Sequence, residues 1–363
     1  MTALRRSTRT HVFLLLLCLS VVALACSGCG KGSSSSGPIS LQGAGATYPN
    51  PLYQKWLSEY GKLHPNIRID YQSIGSGGGI KQIKQGTVDF GASDVFMTDE
   101  DLKSAPAQIL HIPMVLGAVV LTYNLQAVKQ PLHFSPDVVA DIFLGKIKRW
   151  DDPRIKGDSP GISLPSGDIT VVHRSDGSGT TGVWSDYLSK ISAEWKQKVG
   201  AGASVNWPVG VGQKGNEGVT GQVKQTPNTI GYVELIYALQ NSLPVGLIKN
   251  KSGNYVQPSL ESVTAAAAGS IASTPDDLRV SITDSSGPDS YPVSSYTYIL
   301  AYKNQKDATK GKALVDYLWW CIHDGQKFAN DLKYASLAPE IVKRTEGKIN
   351  SITSGSTLLR AAD

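Results

Sequence analysis

Four short segments of this 363-residue chain carry residue types suited to holding a small oxyanion. They are Gly43-Ala44-Gly45-Ala46-Thr47-Tyr48-Pro49, Gly75-Ser76-Gly77-Gly78-Gly79, Gly91-Ala92-Ser93-Asp94 and Arg174-Ser175-Asp176-Gly177-Ser178-Gly179-Thr180-Thr181-Gly182. Each offers short donors near a strand-to-helix turn. A helix N-terminus presents unpaired N–H groups at the positive end of its dipole, so it attracts anions. Glycine exposes those N–H groups, and Ser and Thr add hydroxyls. A lone Gly-Ser run reads as a plain turn. Four such runs, one led by an arginine, read as a set. Arg174 ends its strand, and its guanidinium can engage two oxygens at once; a surface ion pair is the alternative. Asp176 is placed to hold that side chain in either case. His173 points to the other face of the strand and reads as structural.

Asp94 is discordant, because a carboxylate repels an anion. Capping a helix N-terminus would explain it without any ligand. A ligand that keeps a proton also explains it, since Asp94 can accept that O–H. Phosphate near neutral pH retains a proton and sulfate does not. A buried carboxylate facing sulfate would meet repulsion and find no donor.

The elements that must position these residues follow from periodicity. Leu52, Trp56, Leu57 and Tyr60 predict a helix over 50–63. Alternation predicts a strand over 67–74, then a glycine loop over 75–79 and a helix from 80 to 85. Further strands are predicted at 88–92, 169–174, 230–233 and 296–302, with a buried one at 115–123. Helices are predicted over 136–144, 175–190 and 310–331, the last carrying Leu314, Leu318 and Trp319. Strands alternating with helices imply α/β layers, in which ligands sit where strands end and helices begin.

The four segments, together with Leu144-Gly145-Lys146-Ile147-Lys148-Arg149-Trp150-Asp151, Ile230-Gly231-Tyr232-Val233-Glu234 and Asn330-Asp331-Leu332-Lys333-Tyr334-Ala335, resemble the substrate-binding subunit of bacterial phosphate ABC transporters. The similarity runs from about 41 to 337. It implies a two-lobed periplasmic-binding-protein fold of type II, with two hinge crossovers and the ligand cleft between lobes. The implied ligand is inorganic phosphate and the implied partners are the permease subunits of an ABC transporter. The implied contacts are Thr47, Tyr48, Ser76, Asp94, Arg174, Ser178, Gly179 and Thr180. Hydroxyls and backbone N–H groups would donate, with Tyr48 and Gly179 acting through the backbone. Asp94 would accept the ligand proton and Asp176 would orient Arg174. Tyr48 stands where Phe is common and Ser175 where Ala is. The first lobe is expected at 39–116 and 291–363, the second at 117–290, and the protein as a monomer that binds and does not catalyse.

The N-terminus predicts export. Arg5, Arg6, Arg9 and His11 precede an apolar run over 12–25, too short to span a bilayer comfortably. The junction Val22-Ala23-Leu24-Ala25-Cys26-Ser27-Gly28-Cys29 resembles a bacterial lipobox. It predicts a signal peptide over 1–25, lipidation at Cys26 with Cys29 as the alternative, and an extracytoplasmic protein anchored to a membrane; an ordinary cleaved leader on a secreted protein is the other reading. Residues 26–38 form a Gly/Ser-rich tether, of which the last 11 reach about 18 Å. Cys18 leaves with the leader and Cys321 is left without an obvious partner.

Composition narrows the rest. The chain is 41% hydrophobic and 18% charged, and losing the three leader arginines takes its net charge from +5 to near +2. Without a basic run interleaved with aromatics, nucleic-acid binding has little electrostatic support. No Cys/His spacing resembles a zinc site, and no cofactor is expected. Gly177-Ser178-Gly179-Thr180-Thr181-Gly182 matches G-x-G-x-x-G, but the strand-like stretch at 204–207 ends with no acid for a ribose. Neither Ser76 nor Ser178 has the context of a hydrolase nucleophile. A nucleotide-dependent enzyme and a secreted phosphatase are the rivals from another class. Sulfate, molybdate or tungstate are the rival ligands, and Asp94 argues against them.

Overall fold

The computed structural model describes residues 37–360, so the predicted leader, Cys26, Cys29 and nearly all of the tether lie outside the described residues. Strand β1 (Ile39–Gly45) runs into helix α1 (Asn50–Leu63), which starts with a proline in its first turn and turns Leu52, Tyr53, Trp56 and Tyr60 inward. β2 (Ile67–Ser73) returns parallel to β1 and leads into α2 (Ser76–Gln85), which stops at the left-handed Gly86. β3 (Phe90–Ser93) pairs with β1 on its other side.

β4 (Ile109–Tyr123) is buried along its whole length. Beyond it come α3 (Pro136–Phe143), β5 (Thr170–Arg174), α4 (Gly179–Ile191), β6 (Val211–Gln213), α5 (Gly215–Gln225), β7 (Thr229–Glu234) and α6 (Leu235–Gln240). β8 (Ser294–Tyr302) and α7 (Ala308–Ile322) follow. The eight strands form one mixed sheet in the order β2-β1-β3-β8-β4-β7-β5-β6. β4 joins its two halves. Residues 109–118 pair with β8, and from Val119 onward the partner is β7. This is the curled, open sheet of a two-lobed binding protein of type II.

Each half has its own aromatic core. On one side Trp56 stacks on Tyr53, and Tyr60 meets Tyr317 and Trp320. On the other, Trp184 stacks on Tyr232, and both meet Phe143. Burying a large apolar side chain contributes about 1.5–3 kcal/mol, so each half carries substantial stabilisation of its own.

Five expectations need correction. β4 begins at Ile109, six residues before the predicted start. Pro113 reads as a strand breaker, because it has no N–H for the ladder. A bulge absorbs it: Tyr298 pairs with Pro113 but Thr297 with Val115. The glycine run after β2 is not a loop, since α2 begins at Ser76 and the three glycines that follow lie inside it. Conversely, 175–178 stays a loop, and α4 starts only at Gly179. The predicted long helix over 310–331 ends at Ile322, where His323 leaves helical geometry (φ −116°, ψ −98°), and short 3₁₀ turns continue. Trp56 Nε1 donates to the Gly325 carbonyl at 2.7 Å, a tertiary bond that fixes this break. Residues 204–207 form no strand; the next one is β6.

Candidate functional site

The four glycine-bearing turns meet. β1 ends against β3, with Ala46 N donating to Ala92 O at 3.0 Å. Ile74 N and Gly75 N both donate to Gly45 O, which docks the start of α2 beside the end of β1. Gly75 has φ of 89°, a conformation that favours glycine. From the other half of the sheet, Gly177 O accepts from Gly77 N at 2.9 Å. Gly179 opens α4 directly against Asp94 and Ser76; a Cβ at this position would overlap both Asp94 Oδ2 and Ser76 Oγ. Three helix N-termini therefore converge on one buried cluster, with α1 and α2 on one side and α4 on the other.

Thr47, Ser76, Asp94, Arg174, Ser178 and Thr180 are all buried there. Arg174 closes β5. Its Nε and Nη2 engage Asp176 Oδ1 and Oδ2 at 2.8 and 2.6 Å, a bidentate pair that fixes the guanidinium plane. Nη1 lies 3.4 Å from Thr180 Oγ1. Burial opposes the Asp176 charge, but Arg174 and the Gly215 N–H outweigh it and hold its carboxyl below the ordinary range. Ser178 caps α4 by accepting from Thr181 N at 3.0 Å, so its own hydrogen is left to donate. Tyr48 is fully buried; its carbonyl accepts from Tyr334 Oη at 2.7 Å, and its ring reaches over Gly117.

Asp94 is 2% exposed and accepts at Oδ1 from Thr297 Oγ1 at 2.9 Å. Ser76 Oγ approaches Oδ2 at 3.4 Å. Burial pushes the Asp94 carboxyl up to about 7, although Thr297, the Arg174 charge and Ser76 pull the other way. It caps no helix: the nearby helix Asp99–Lys103 is capped by Thr98. His173 stacks on Trp207 with ring centroids 4.8 Å apart, away from these groups.

Sequence reasoning missed several buried neighbours. Asn216, at the start of α5, donates through Nδ2 to Thr47 Oγ1 at 2.8 Å and to Thr180 Oγ1 at 3.1 Å. Its signal was available, because Gly212-Gln213-Lys214-Gly215-Asn216 is a fifth strand-to-helix turn. Thr297 lies mid-strand, and only the bulge and the fold bring it to Asp94. Tyr237 Oη donates to Thr47 O at 2.6 Å. Glu234 ends β7 fully buried and accepts from Ile236 N and Tyr334 Oη. Burial, reinforced by Asp94, pushes its carboxyl well above the ordinary range.

Taken together, the site is a shell of N–H and O–H donors with one cation and one facing carboxylate. The model of the PBP superfamily domain matches residues 32–319. Phosphate-binding protein PstS of Xylella fastidiosa (strain Temecula1) is 44% identical over 350 residues, covering 92% of this chain and 95% of that protein. Phosphate-binding protein PstS of Pasteurella multocida is 45% identical over 309 residues, covering 85% and 89%.

The chain belongs to the PstS family.

Solved structures agree on the fold. A phosphate-bound periplasmic phosphate-binding protein (PfluDING) superposes with a TM-score of 0.67 at 20% identity, over 85% of this chain and 93% of that one. A phosphate-bound ABC transporter substrate-binding protein from Clostridium perfringens gives 0.61 at 19%, over 82% and 100%. In this PstS-family chain the G-x-G-x-x-G run opens α4 without a dinucleotide unit around it, since the following parallel strand β6 ends in Gln213-Lys214 with no acid.

Proposed function

We propose that this chain is an extracytoplasmic binding protein that captures inorganic phosphate between its two lobes and delivers it to an ABC permease. The observation that carries the reading is the burial of Asp94 inside a ring of donors. Arg174 and the hydroxyls of Thr47, Ser76, Ser178 and Thr180 supply charge and hydrogen bonds to phosphate oxygens, as do the backbone N–H groups of Tyr48 and Gly179. Asp94 accepts the hydrogen that phosphate retains. Fixed donors replace the ligand's water shell at little reorganisation cost, and the sole acceptor rejects an anion without a proton.

The first lobe comprises 39–116 and 291–363, and the second 117–290. The change of partner along β4 between Ala118 and Val119 supports this division. A lipid on Cys26, or on Cys29, would hold the protein at a membrane through the tether, as a monomer that binds phosphate and does not turn it over. The phosphate-binding names of the relatives support the choice of ligand.

Calorimetry with phosphate, arsenate and sulfate at pH 8 tests the reading. Phosphate and arsenate, both protonated near-isosteres, bind with similar affinity, and sulfate gives no measurable heat. Equal affinity for sulfate would defeat the role given to Asp94.

A further inference from the structure

We propose that Asn216 is a positioning residue that sets the hydrogen-bond polarity of the site: it makes Thr47 and Thr180 obligate donors to the bound anion. The inference rests on the phosphate reading above and concerns how the pocket enforces it.

Asn216 is fully buried at the first turn of α5, behind Gly215 (φ 73°). Its amide orientation follows from its neighbours. Oδ1 lies 2.9 Å from Glu234 N, and a backbone N–H only donates, so this end must be the oxygen. The other end is then NH₂. Its two hydrogens go to Thr47 Oγ1 at 2.8 Å and Thr180 Oγ1 at 3.1 Å. That uses both donors of the amide, which leaves Asn216 none for the ligand.

Each threonine oxygen receives a second N–H as well. Asn216 N reaches Thr47 Oγ1 at 3.3 Å, and Arg174 Nη1 reaches Thr180 Oγ1 at 3.4 Å. A hydroxyl carries one hydrogen and two lone pairs. With both lone pairs engaged by N–H groups, the one thing left for each threonine to offer is its hydrogen. Arg174 is donor-only, and among the described residues neither threonine hydroxyl donates to another protein group. Asp94 Oδ1 is engaged by Thr297, and Oδ2 faces Ser76. The hydrogens of Thr47 and Thr180 are thus reserved for an acceptor between the lobes. This is why the ligand's own proton is directed to Asp94 and nowhere else. Without the Asn216 amide each hydroxyl would keep a single N–H partner, and its freed lone pair could accept a ligand proton.

A double-mutant cycle on the full chain, read by phosphate calorimetry, tests this, with ligand-free melting as the folding control. Asn216→Ala weakens phosphate binding by about tenfold in the parent chain, because two oriented donors lose their bias. In a Thr47→Val/Thr180→Val background, where there are no hydroxyls to orient, the same substitution costs less than about twofold. A simple packing or hinge role would give the same penalty in both backgrounds, and that result overturns the inference. Should the alanine variant not fold, Asn216→Asp keeps the shape and the acceptor for Glu234 N. Its carboxylate draws both hydroxyl hydrogens toward itself, so phosphate affinity falls by about a hundredfold or more. Affinity within threefold of the parent overturns the inference. A parent chain that binds phosphate while the cycle is additive sinks this inference alone; a parent chain that binds no phosphate sinks the reading of the site and this inference with it.

Discussion

Asp94 is the residue on which discrimination turns, because it faces the site as an acceptor among donors. Its carboxyl sits near 7, raised mainly by burial. The folded form therefore holds its proton more tightly than the unfolded chain does. The stability this contributes is fully present below the ordinary carboxylate range and is lost as pH rises through about 7. Ligands inherit the same sign. Sulfate has no hydrogen to offer, so it can bind only with Asp94 protonated, and its binding takes up a proton. Sulfate affinity should then fall by up to about tenfold per pH unit between pH 7 and 9. Dibasic phosphate brings its own hydrogen and should show a much shallower slope there. Asp94→Asn is neutral at every pH, so it should flatten the sulfate profile and narrow the gap between the two anions. Competition calorimetry at three pH values checks all of this, and a pH-independent sulfate affinity in the parent chain would refute it.

At the scale of elements, α4 does its work by where it begins. Gly179 lies against Asp94 and Ser76 of the other half, with no room for a Cβ. At the first position of a helix alanine is tolerated as well as glycine, and once the halves part its Cβ no longer meets Asp94 and Ser76. Gly179→Ala should therefore leave the melting temperature of the ligand-free protein unchanged. Phosphate affinity should drop by roughly 5- to 150-fold, the span of a 1–3 kcal/mol overpacking penalty. Unchanged melting with weakened binding is the outcome to look for; a parallel loss of both would point to simple misfolding. The start of α4 also shows how far the sequence could be read. Periodicity placed α1 to the residue, since Leu52, Trp56 and Tyr60 form one buried stripe. It misplaced the starts of α2 and α4, because a glycine run reads alike as loop or first helical turn, and backbone N–H geometry alone decides. β4 lost its first six residues to Pro113, whose cost a bulge removes through a partner strand nearly 200 residues away. The donors themselves were legible from residue type at strand ends. Thr297, Tyr237 and Tyr334 were not, since they enter through tertiary contacts and no local pattern marks them.

In the molecule as a whole, three bonds beside the site hold the two halves together. Gly77 N reaches Gly177 O across the cleft at 2.9 Å, Asn216 reaches Thr47, and Tyr237 Oη reaches Thr47 O at 2.6 Å. Each joins the β1–β3 half to the β5–β7 half. β4 runs through both halves, so opening need not break the sheet; it needs only a bend near the change of partner at Val119. A bond made only in the closed form biases the equilibrium by its own net worth, and phosphate affinity feels that bias directly. Tyr237 is the cleanest handle, because its hydroxyl can be deleted without altering the ring that packs beside it. One net hydrogen bond is worth about 0.5–1.5 kcal/mol, so Tyr237→Phe should weaken phosphate binding by roughly 2- to 12-fold. The loss of its contact to Glu217 at 3.1 Å, within the second half, should register instead in the melting of the ligand-free protein. Small-angle scattering supplies the independent readout. Phosphate should shrink the radius of gyration of the parent chain, and the Tyr237→Phe chain should reach the same compact value at saturation but need more ligand to get there. A variant with weakened binding that saturates at a larger radius would show that Tyr237 shapes the closed form itself and does not merely tip the balance toward it.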